Sequence, residues 1–177
     1  MAPNLEDVGP KLPGIARRAI TGFLSGDGIT AFEPGGPPSP VFVTLRGPGG
    51  ALRGCIGSVA PSRGDVVSET ARSAVLAATR DPRFEPVSVS ELSQLSIEVS
   101  VLEPEEPVAT LAELDPSRYG VVVRDDRGHQ GLLLPGIDGV SEAGTQVDVA
   151  RRKAGIPTGT PVRLSRFLVH KWMDASP

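Results

Sequence analysis

The sequence is poor in the residues from which many protein sites are built, and each shortage excludes a class of protein. Its 177 residues include one cysteine and two histidines. A single cysteine excludes an intramolecular disulfide and fits a reducing cytoplasm. One cysteine and two distant histidines give no familiar metal-ligand spacing, and no glycine-rich phosphate-binding motif is present. We therefore expect a cytoplasmic protein with no metal and no cofactor.

Long apolar runs and a strong basic charge are also missing. No apolar run reaches the roughly 18 residues that a membrane span needs, and the N-terminus lacks the basic and apolar regions of a secretory signal. The net charge is −3, and five Phe, one Tyr and one Trp offer little for stacking bases. The basic residues at Arg17, Arg18 and 151–153 are either a local basic patch or, as we favour, helix ends that face water. We expect neither nucleic acid nor a membrane as a partner.

The most informative segment surrounds the cysteine and reads Leu-Arg-Gly-Cys-Ile-Gly at residues 52–57. In a strand, alternate side chains share a face, so Arg53 and Cys55 point one way while Leu52 and Ile56 point the other. The apolar pair is expected to enter the core, and the guanidinium and thiol then share a second surface. A cationic neighbour favours the thiolate, which is the nucleophilic form of cysteine.

Hydrophobic periodicity and turn residues predict hairpins mixed with separate helices. Helices are predicted at residues 14–25, 64–79 and 144–154, and strands at residues 41–46, 52–57, 96–102, 119–124, 131–134 and 162–172. The last of these strands shows no clean separation of faces. Segments 33–40 and 104–107 are predicted as loops because they are rich in proline. The pattern indicates an α+β fold with a largely antiparallel sheet and flanking helices, in one domain over residues 1–177.

Cys55, Arg53 and Glu98 are the candidate catalytic residues. Cys55 is either a nucleophile that bonds covalently to an electrophilic substrate or a small buried hydrophobe. Arg53 either stabilises a thiolate or binds a substrate carboxylate or phosphate, unless it is simply a surface arginine. Glu98 lies mid-strand between apolar neighbours, where a carboxylate is costly unless it is paired. It is either a general acid or base or, as we favour, the salt-bridge partner of Arg53.

The candidate substrate-binding residues are Gly54, Gly57, Asp81, Arg83 and His129. The two glycines leave room for a close approach to the backbone. Asp81 and Arg83 flank a proline after a helix, where they either fix a loop or line a cleft near the cysteine. His129 lies at a predicted hairpin tip, where a solvated turn residue is the alternative. Neither His129 nor His170 makes a convincing partner for the cysteine, so a papain-like protease is disfavoured.

The cysteine segment also resembles the signature of the AMMECR family, whose bacterial and archaeal members are called AmmeMemoRadiSam system protein A. Further segments match it in order: Ala-Ala-Thr-Arg-Asp-Pro-Arg-Phe at 77–84, Glu-Leu-Ser-Gln-Leu-Ser-Ile-Glu-Val-Ser-Val-Leu at 91–102, Gly-Leu-Leu-Leu-Pro at 131–135 and Arg-Lys-Ala-Gly-Ile-Pro at 152–157. The resemblance covers residues 14–172. It implies a compact α+β fold of two subdomains, with the signature facing the cleft between them. Because relatives are commonly encoded beside a Memo-like protein and a radical-SAM protein, it also implies these as partners.

The sequence departs from the family pattern in two places. After Pro135 it continues with Gly-Ile-Asp-Gly-Val, where the family often has a glutamine and a longer helical stretch. Ala150 replaces a second cysteine that is often found before the last matching segment. A mechanism that needs two thiols is therefore excluded within one chain.

Two functions remain open. The first is a cytoplasmic enzyme that uses Cys55 in covalent or acid–base chemistry on a small metabolite. The second is a non-catalytic module that binds a protein or a metabolite with the same surface. A nucleic-acid regulator is a third reading, disfavoured by the acidic charge balance. The sequence does not indicate the oligomeric state.

Overall fold

The computed structural model describes residues 4–174 and divides the chain into two compact units. The first unit extends to Val101 and takes up the chain again from His170, and the second comprises Leu102–Val169. In chain order the helices and strands are α1 (Leu5–Val8), α2 (Leu12–Leu24), β1 (Val41–Arg46), β2 (Leu52–Gly57), α3 (Val66–Thr79), α4 (Val89–Leu92), β3 (Ser96–Leu102), β4 (Glu106–Val108), β5 (Gly120–Arg124), β6 (Gln130–Leu133), α5 (Ala143–Lys153), β7 (Arg163–Phe167) and β8 (Val169–Met173).

The first unit is built on a four-stranded sheet in the order β2-β1-β3-β8. β1 runs antiparallel to both β2 and β3. Along β1 and β3 every second side chain is apolar and fully buried, as at Val43, Leu45, Ile97 and Val99. These side chains join α2 and α3 in one hydrophobic core. The apolar side chains at every second position of the strands therefore pack against the apolar stripes of the helices in a single layer.

Local signals fix the ends of α3 beside the sheet. Asp65 caps its N-terminus and accepts a hydrogen bond from the backbone N–H of Ser68 at 2.9 Å. The helix ends at Thr79, with Arg80 as its C-cap, because Asp81, the residue before Pro82, avoids helical angles. The turn that follows α3 then reaches the outer edge of β2.

The second unit contains a four-stranded sheet in the order β4-β7-β5-β6. β5 is antiparallel to β6 and to β7, and α5 packs on this sheet through Val147 and Ala150. Gly131 of β6 lies so close to α5 that an added Cβ would stand 2.0 Å from the carbonyl oxygen of Ala150. The glycine is required here by the close approach of helix and strand.

The α+β fold with antiparallel strands and flanking helices is confirmed, but two predicted segments differ and the short helix α4 was missed. The predicted strand 162–172 is two strands, β7 and β8, separated at Leu168 and placed in different sheets. This break explains why its two faces did not separate in the sequence. The predicted loop 104–107 runs into β4, which pairs with β7. The single turn α4 was not predicted, although Ser88 and Glu91 form a capping box there.

None of the helices between residues 4 and 174 is long and apolar enough to span a bilayer.

Candidate functional site

The cysteine segment forms β2, an edge strand of the first sheet. A Cβ added to Gly54 would lie 2.3 Å from the carbonyl oxygen of Ala77 in α3, so Gly54 faces the helices. Arg53 and Cys55, the residues on either side of it, therefore share the opposite face of the sheet. The predicted alternation of β2 is confirmed.

The space beside the two glycines of β2 is filled by the chain itself. A Cβ on Gly57 would stand 2.4 Å from the ring of Phe42, and the position beside Gly54 is taken by α3. A substrate-binding role for these glycines stays a prediction that rests on their backbone alone. Ile56 packs against the core as expected, but Leu52 is 38% exposed, so its predicted entry into the core is wrong. The end position of Leu52, next to the turn from β1, leaves it uncovered.

A row of polar side chains crosses the sheet at Cys55. Thr44 of β1 lies opposite Cys55 of β2 and Glu98 of β3, so the three side chains share one face. The Thr44 hydroxyl donates a hydrogen bond to the Cys55 Sγ at 3.4 Å. On β8, the Lys171 Nζ lies 3.6 Å from a carboxylate oxygen of Glu98. We call Cys55, Thr44, Glu98 and Lys171 the polar row.

Asp81 joins the polar row to the end of α3. Its Oδ2 accepts the backbone N–H of Cys55 at 2.9 Å. Arg83 donates to both carboxylate oxygens, from Nε at 2.9 Å and from Nη2 at 2.7 Å. The hydrogen bond from Arg83 holds the pKa of Asp81 well below its usual range, although burial of the carboxyl opposes this. Asp81 is therefore a carboxylate that fixes the turn after α3 and also holds the backbone of Cys55. A substrate-binding role for Asp81 and Arg83 stays a prediction.

Two guanidinium groups lie over the ring of Phe84, beside the polar row. The Cζ atoms of Arg53 and Arg83 are 5.8 and 5.4 Å from the ring centroid. Arg53 also binds Glu91 of α4, with Nε–Oε1 at 2.5 Å and Nη2–Oε2 at 3.1 Å. This pair lowers the pKa of Glu91. The predicted salt bridge between Arg53 and Glu98 is wrong, because Glu98 stands two strands away while α4 brings Glu91 to the edge of β2.

The histidine predicted to bind substrate belongs to the second unit. His129 lies between β5 and β6, with its Nδ1 2.7 Å from the Oδ2 of Asp125. The hydrogen bond with His129 lowers the pKa of Asp125. A substrate-binding role for His129 stays a prediction. His170 stacks on Trp172 with ring centroids 6.0 Å apart. The described hydrogen bond of the Cys55 thiol comes from a hydroxyl rather than from an imidazole.

A buried carboxylate that the sequence reasoning missed holds the loop after β2. Glu69 of α3 is fully buried and accepts the backbone N–H groups of Ser62 at 2.7 Å and Arg63 at 2.8 Å. The hydroxyls of Ser58 and Ser62 donate to it as well. The available signal was a glutamate on the buried stripe of a predicted helix, close in sequence to two serines. Glu69 thus fixes the path by which the chain leaves Cys55.

The arrangement supports nucleophilic or proton-transfer chemistry. A half-buried thiol, a hydroxyl that donates to its sulfur and a carboxylate in the same row are the groups that such reactions use. Within residues 4–174 no group of three or more His, Cys, Asp or Glu side chains is placed to hold a metal ion.

Comparison with known proteins relates nearly the whole chain to one family. The family model described as AMMECR1 matches residues 13–172. A protein of Thermotoga maritima is 45% identical over 132 residues, which cover 74% of this chain and 75% of that protein. Protein CA_C1420 of Clostridium acetobutylicum is 40% identical over 135 residues, which cover 76% of this chain but 28% of that protein. The chain therefore spans well under half the length of this second relative.

The fold is also similar to a solved structure. The crystal structure of Uncharacterized Protein PH0010 from Pyrococcus horikoshii matches with a TM-score of 0.85 and 30% sequence identity. The match covers 96% of this chain and 92% of that one. Both units of the chain therefore have counterparts in that structure.

Proposed function

The chain belongs to the AMMECR1 family, as the resemblance over residues 14–172 predicted, and we propose that it is a cytoplasmic enzyme that uses Cys55 in covalent chemistry on a small metabolite. The observation that carries the proposal is the setting of the thiol. Cys55 is half-buried on an edge strand, and a hydroxyl donates to its sulfur. A cysteine that served only as a small hydrophobe would be packed in the core.

Two neighbours bring a hydrogen-bond donor and a positive charge to the side chain of Cys55. The hydrogen bond from Thr44 stabilises negative charge on the sulfur, since a donor favours the charged form of its acceptor. Arg83 supplies a cation: its pKa is raised first by the hydrogen bond to Asp81 and further by the charge of Cys55. The side chain of Arg83 is 53% exposed, so water screens its field, and the bond from Thr44 is the closer influence.

In the proposed step, the Cys55 sulfur attacks a carbonyl carbon of the metabolite. The S–C bond forms, and the carbonyl π electrons move to the oxygen. The proton that the thiol gave up returns to that oxygen, so a thiohemiacetal forms without a leaving group or an oxidant. Glu98 lies on the same face two strands away, about 10 Å at the backbone. We assign it the role of general acid or base, with solvent at this half-exposed face carrying the proton between it and the reacting atoms.

The charges beside the thiol suggest a metabolite with a carboxylate or a phosphate. The half-exposed guanidinium of Arg83 has donors left for such a group, because Asp81 occupies only part of its fork. Arg53 pairs with Glu91 through the same two nitrogens, but its side chain is only 20% exposed, against 53% for Arg83, so it is less accessible to a ligand. We therefore assign anion binding to Arg83 and a supporting charge to Arg53.

A second candidate function is a non-catalytic module that binds a metabolite or a protein on the same surface. The observation in its favour is that Arg53, Arg83 and Glu98 each have an opposite charge within the chain. Side chains neutralised in this way suit a stable contact surface as well as they suit proton transfer. In that role the chain would serve a modification system with the Memo-like and radical-SAM proteins that the family resemblance implies.

Protection of Cys55 from alkylation tests the enzyme proposal. The full chain reacts with iodoacetamide in the presence of glyoxylate, an anionic aldehyde, or of acetaldehyde, a neutral one. Intact mass then reports the alkylated fraction of the only cysteine. We expect glyoxylate to protect Cys55 at a concentration about tenfold lower than it protects glutathione, which corresponds to one charge-assisted hydrogen bond. Acetaldehyde should show no such advantage.

Two arginine variants complete this experiment. In Arg83→Gln the advantage of glyoxylate should disappear. Arg80 is an exposed arginine at the end of α3 and makes no ion pair within residues 4–174. In the control variant Arg80→Gln the advantage of glyoxylate should therefore remain. Equal protection of Cys55 and glutathione contradicts the enzyme proposal and favours the binding module.

A further inference from the structure

The helical side of the first unit carries two neighbouring grooves, on the face of the sheet opposite to Cys55. One is a cavity of about 410 Å³ between α2 and residues 31–35. The other is a cavity of about 340 Å³ between residues 29–32 and α3. Both are lined by Ala31 and Phe32, so they adjoin across this segment. We call them the paired grooves.

Four cations line the paired grooves. They are Lys11, Arg18, Arg63 and Arg72. None of them makes an ion pair in the part of the chain from residue 4 to residue 174. Arg18 lies over the ring of Phe32, with its Cζ 5.3 Å from the centroid. Glu33 is the one acidic side chain along the first groove, so the lining keeps a positive charge.

The floor of the paired grooves is apolar. Ile15 of α2 lies between Lys11, the residue just before the helix, and Arg18, at spacings of four and three residues. Val67 lines the first groove and Ile29 the second, and Ile29 is 50% exposed. An exposed isoleucine beside unpaired arginines is an unusual surface for a chain of net charge −3. The surface thus combines an apolar floor with a cationic rim.

We propose that the paired grooves bind an acidic peptide segment of a partner protein, in which apolar side chains alternate with Asp and Glu. The unpaired cations call for negative charge, and electrostatic complementarity of this kind gives a contact its specificity. The apolar floor selects a peptide over a nucleic acid, because a phosphate backbone gains nothing from aliphatic contacts. Both cavities lie at the small end of ligand pockets, which suits individual side chains rather than a folded domain.

Selection from a random peptide library tests this proposal. The full chain is immobilised and peptides are selected at moderate salt. We expect the enriched sequences to combine Asp or Glu with aliphatic or aromatic residues, and a labelled member to bind in fluorescence anisotropy. Binding should weaken as salt is raised, because exposed charges are screened. A selection that enriches no acidic sequences, or only basic ones, overturns the proposal.

Charge reversal locates the peptide on the paired grooves. The double variant Arg18→Glu, Arg72→Glu should weaken the selected peptide by more than about tenfold, since it places like charges against the peptide. Arg152→Glu and Arg127→Glu together make the same change in net charge on exposed arginines of the second unit, and binding should be retained. If the peptide binds the double variant Arg18→Glu, Arg72→Glu as tightly as it binds the wild type, its binding site is not the paired grooves. If single-stranded DNA binds more tightly than the selected peptide, and this binding is lost in the same variant, the proposal that the grooves bind an acidic peptide is wrong.

Discussion

The two faces of the first sheet are built from the same strands but are held in different ways. On one face, Val43, Leu45 and Val99 are fully buried beneath α2 and α3. On the other face, Cys55 and Thr44 belong to the polar row, whose contacts are hydrogen bonds and an ion pair. The side chains of the apolar face are held by close packing, and those of the polar face are held by hydrogen bonds and an ion pair.

Because of this difference, substitutions on the apolar face should change mainly the stability of the fold, and substitutions on the polar face mainly the reactivity of the thiol. Close packing on the apolar face leaves no room for an added atom, so substitutions there act on folding. The polar face has half-exposed groups with water nearby, so a substitution there costs less stability and changes mainly the charge around the thiol. Substitutions on the two faces should therefore differ in how far they lower the free energy of unfolding.

Gly54→Ala should give the largest loss of stability. The new Cβ would lie 2.3 Å from the carbonyl oxygen of Ala77, so strand and helix must move apart. We expect the free energy of unfolding to fall by about 3 kcal/mol, measured by urea denaturation. Gly64→Ala is the matched control, because a Cβ there meets nothing within 4 Å. Similar values for the two variants would show that the apolar face is not closely packed.

Asp81→Asn should give an intermediate loss. The change removes the ion pair with Arg83 and weakens the bond to the Cys55 N–H. We expect the free energy of unfolding to fall by about 2 kcal/mol, the usual range for hydrogen bonds to a charged group. Arg46→Gln is a suitable control, since Arg46 bonds only a backbone carbonyl at the exposed turn. A loss no larger than that of the control means that Asp81 does not hold the turn after α3.

The same variant should alter the response to acid. The pKa of Asp81 is lowered in the folded chain, so the unfolded chain takes up this proton at a higher pH. The stability that Asp81 contributes is therefore complete above the ordinary carboxyl pKa of about 3.9 and is lost as the pH falls below it. Wild type should lose stability more steeply than Asp81→Asn between about pH 5 and pH 2. Parallel curves for the two proteins contradict this assignment.

Glu98→Gln should give the smallest change in stability and a measurable change in chemistry. The ion pair with Lys171 is long and partly exposed, so the free energy of unfolding should change by less than about 0.5 kcal/mol. Removal of one negative charge about 10 Å from the thiol should raise the ratio of iodoacetate to iodoacetamide rates about twofold. Arg83→Gln should lower the same ratio. Changes of equal sign in both variants rule out an electrostatic cause.

The sequence predicted the apolar face well because its signal is local. Alternation along β1, β2 and β3 and the turn between β1 and β2 fixed which residues share a face. The hairpin of β5 and β6 was predicted for the same reason. These hairpins and the separate helices together indicated the α+β fold class, and the family resemblance agreed with it.

The partners of the polar face were harder to predict because they come from distant elements. Arg53 binds Glu91, which lies 38 residues away on a helix of one turn. Glu98 binds Lys171, whose strand was merged with its neighbour in the sequence prediction. A charge pattern read along one strand does not reveal which side chains a remote helix brings to its edge.

The reactivity of the Cys55 thiol tests the central claim most directly. The alkylation rate with iodoacetamide at neutral pH is compared between the folded chain and the chain unfolded in guanidinium chloride, with intact mass as the readout. The account predicts that the folded thiol reacts faster than the unfolded one, and that Thr44→Val removes part of the difference because the hydrogen bond to Sγ is lost. A thiol that reacts only after unfolding contradicts the account and makes Cys55 a structural residue.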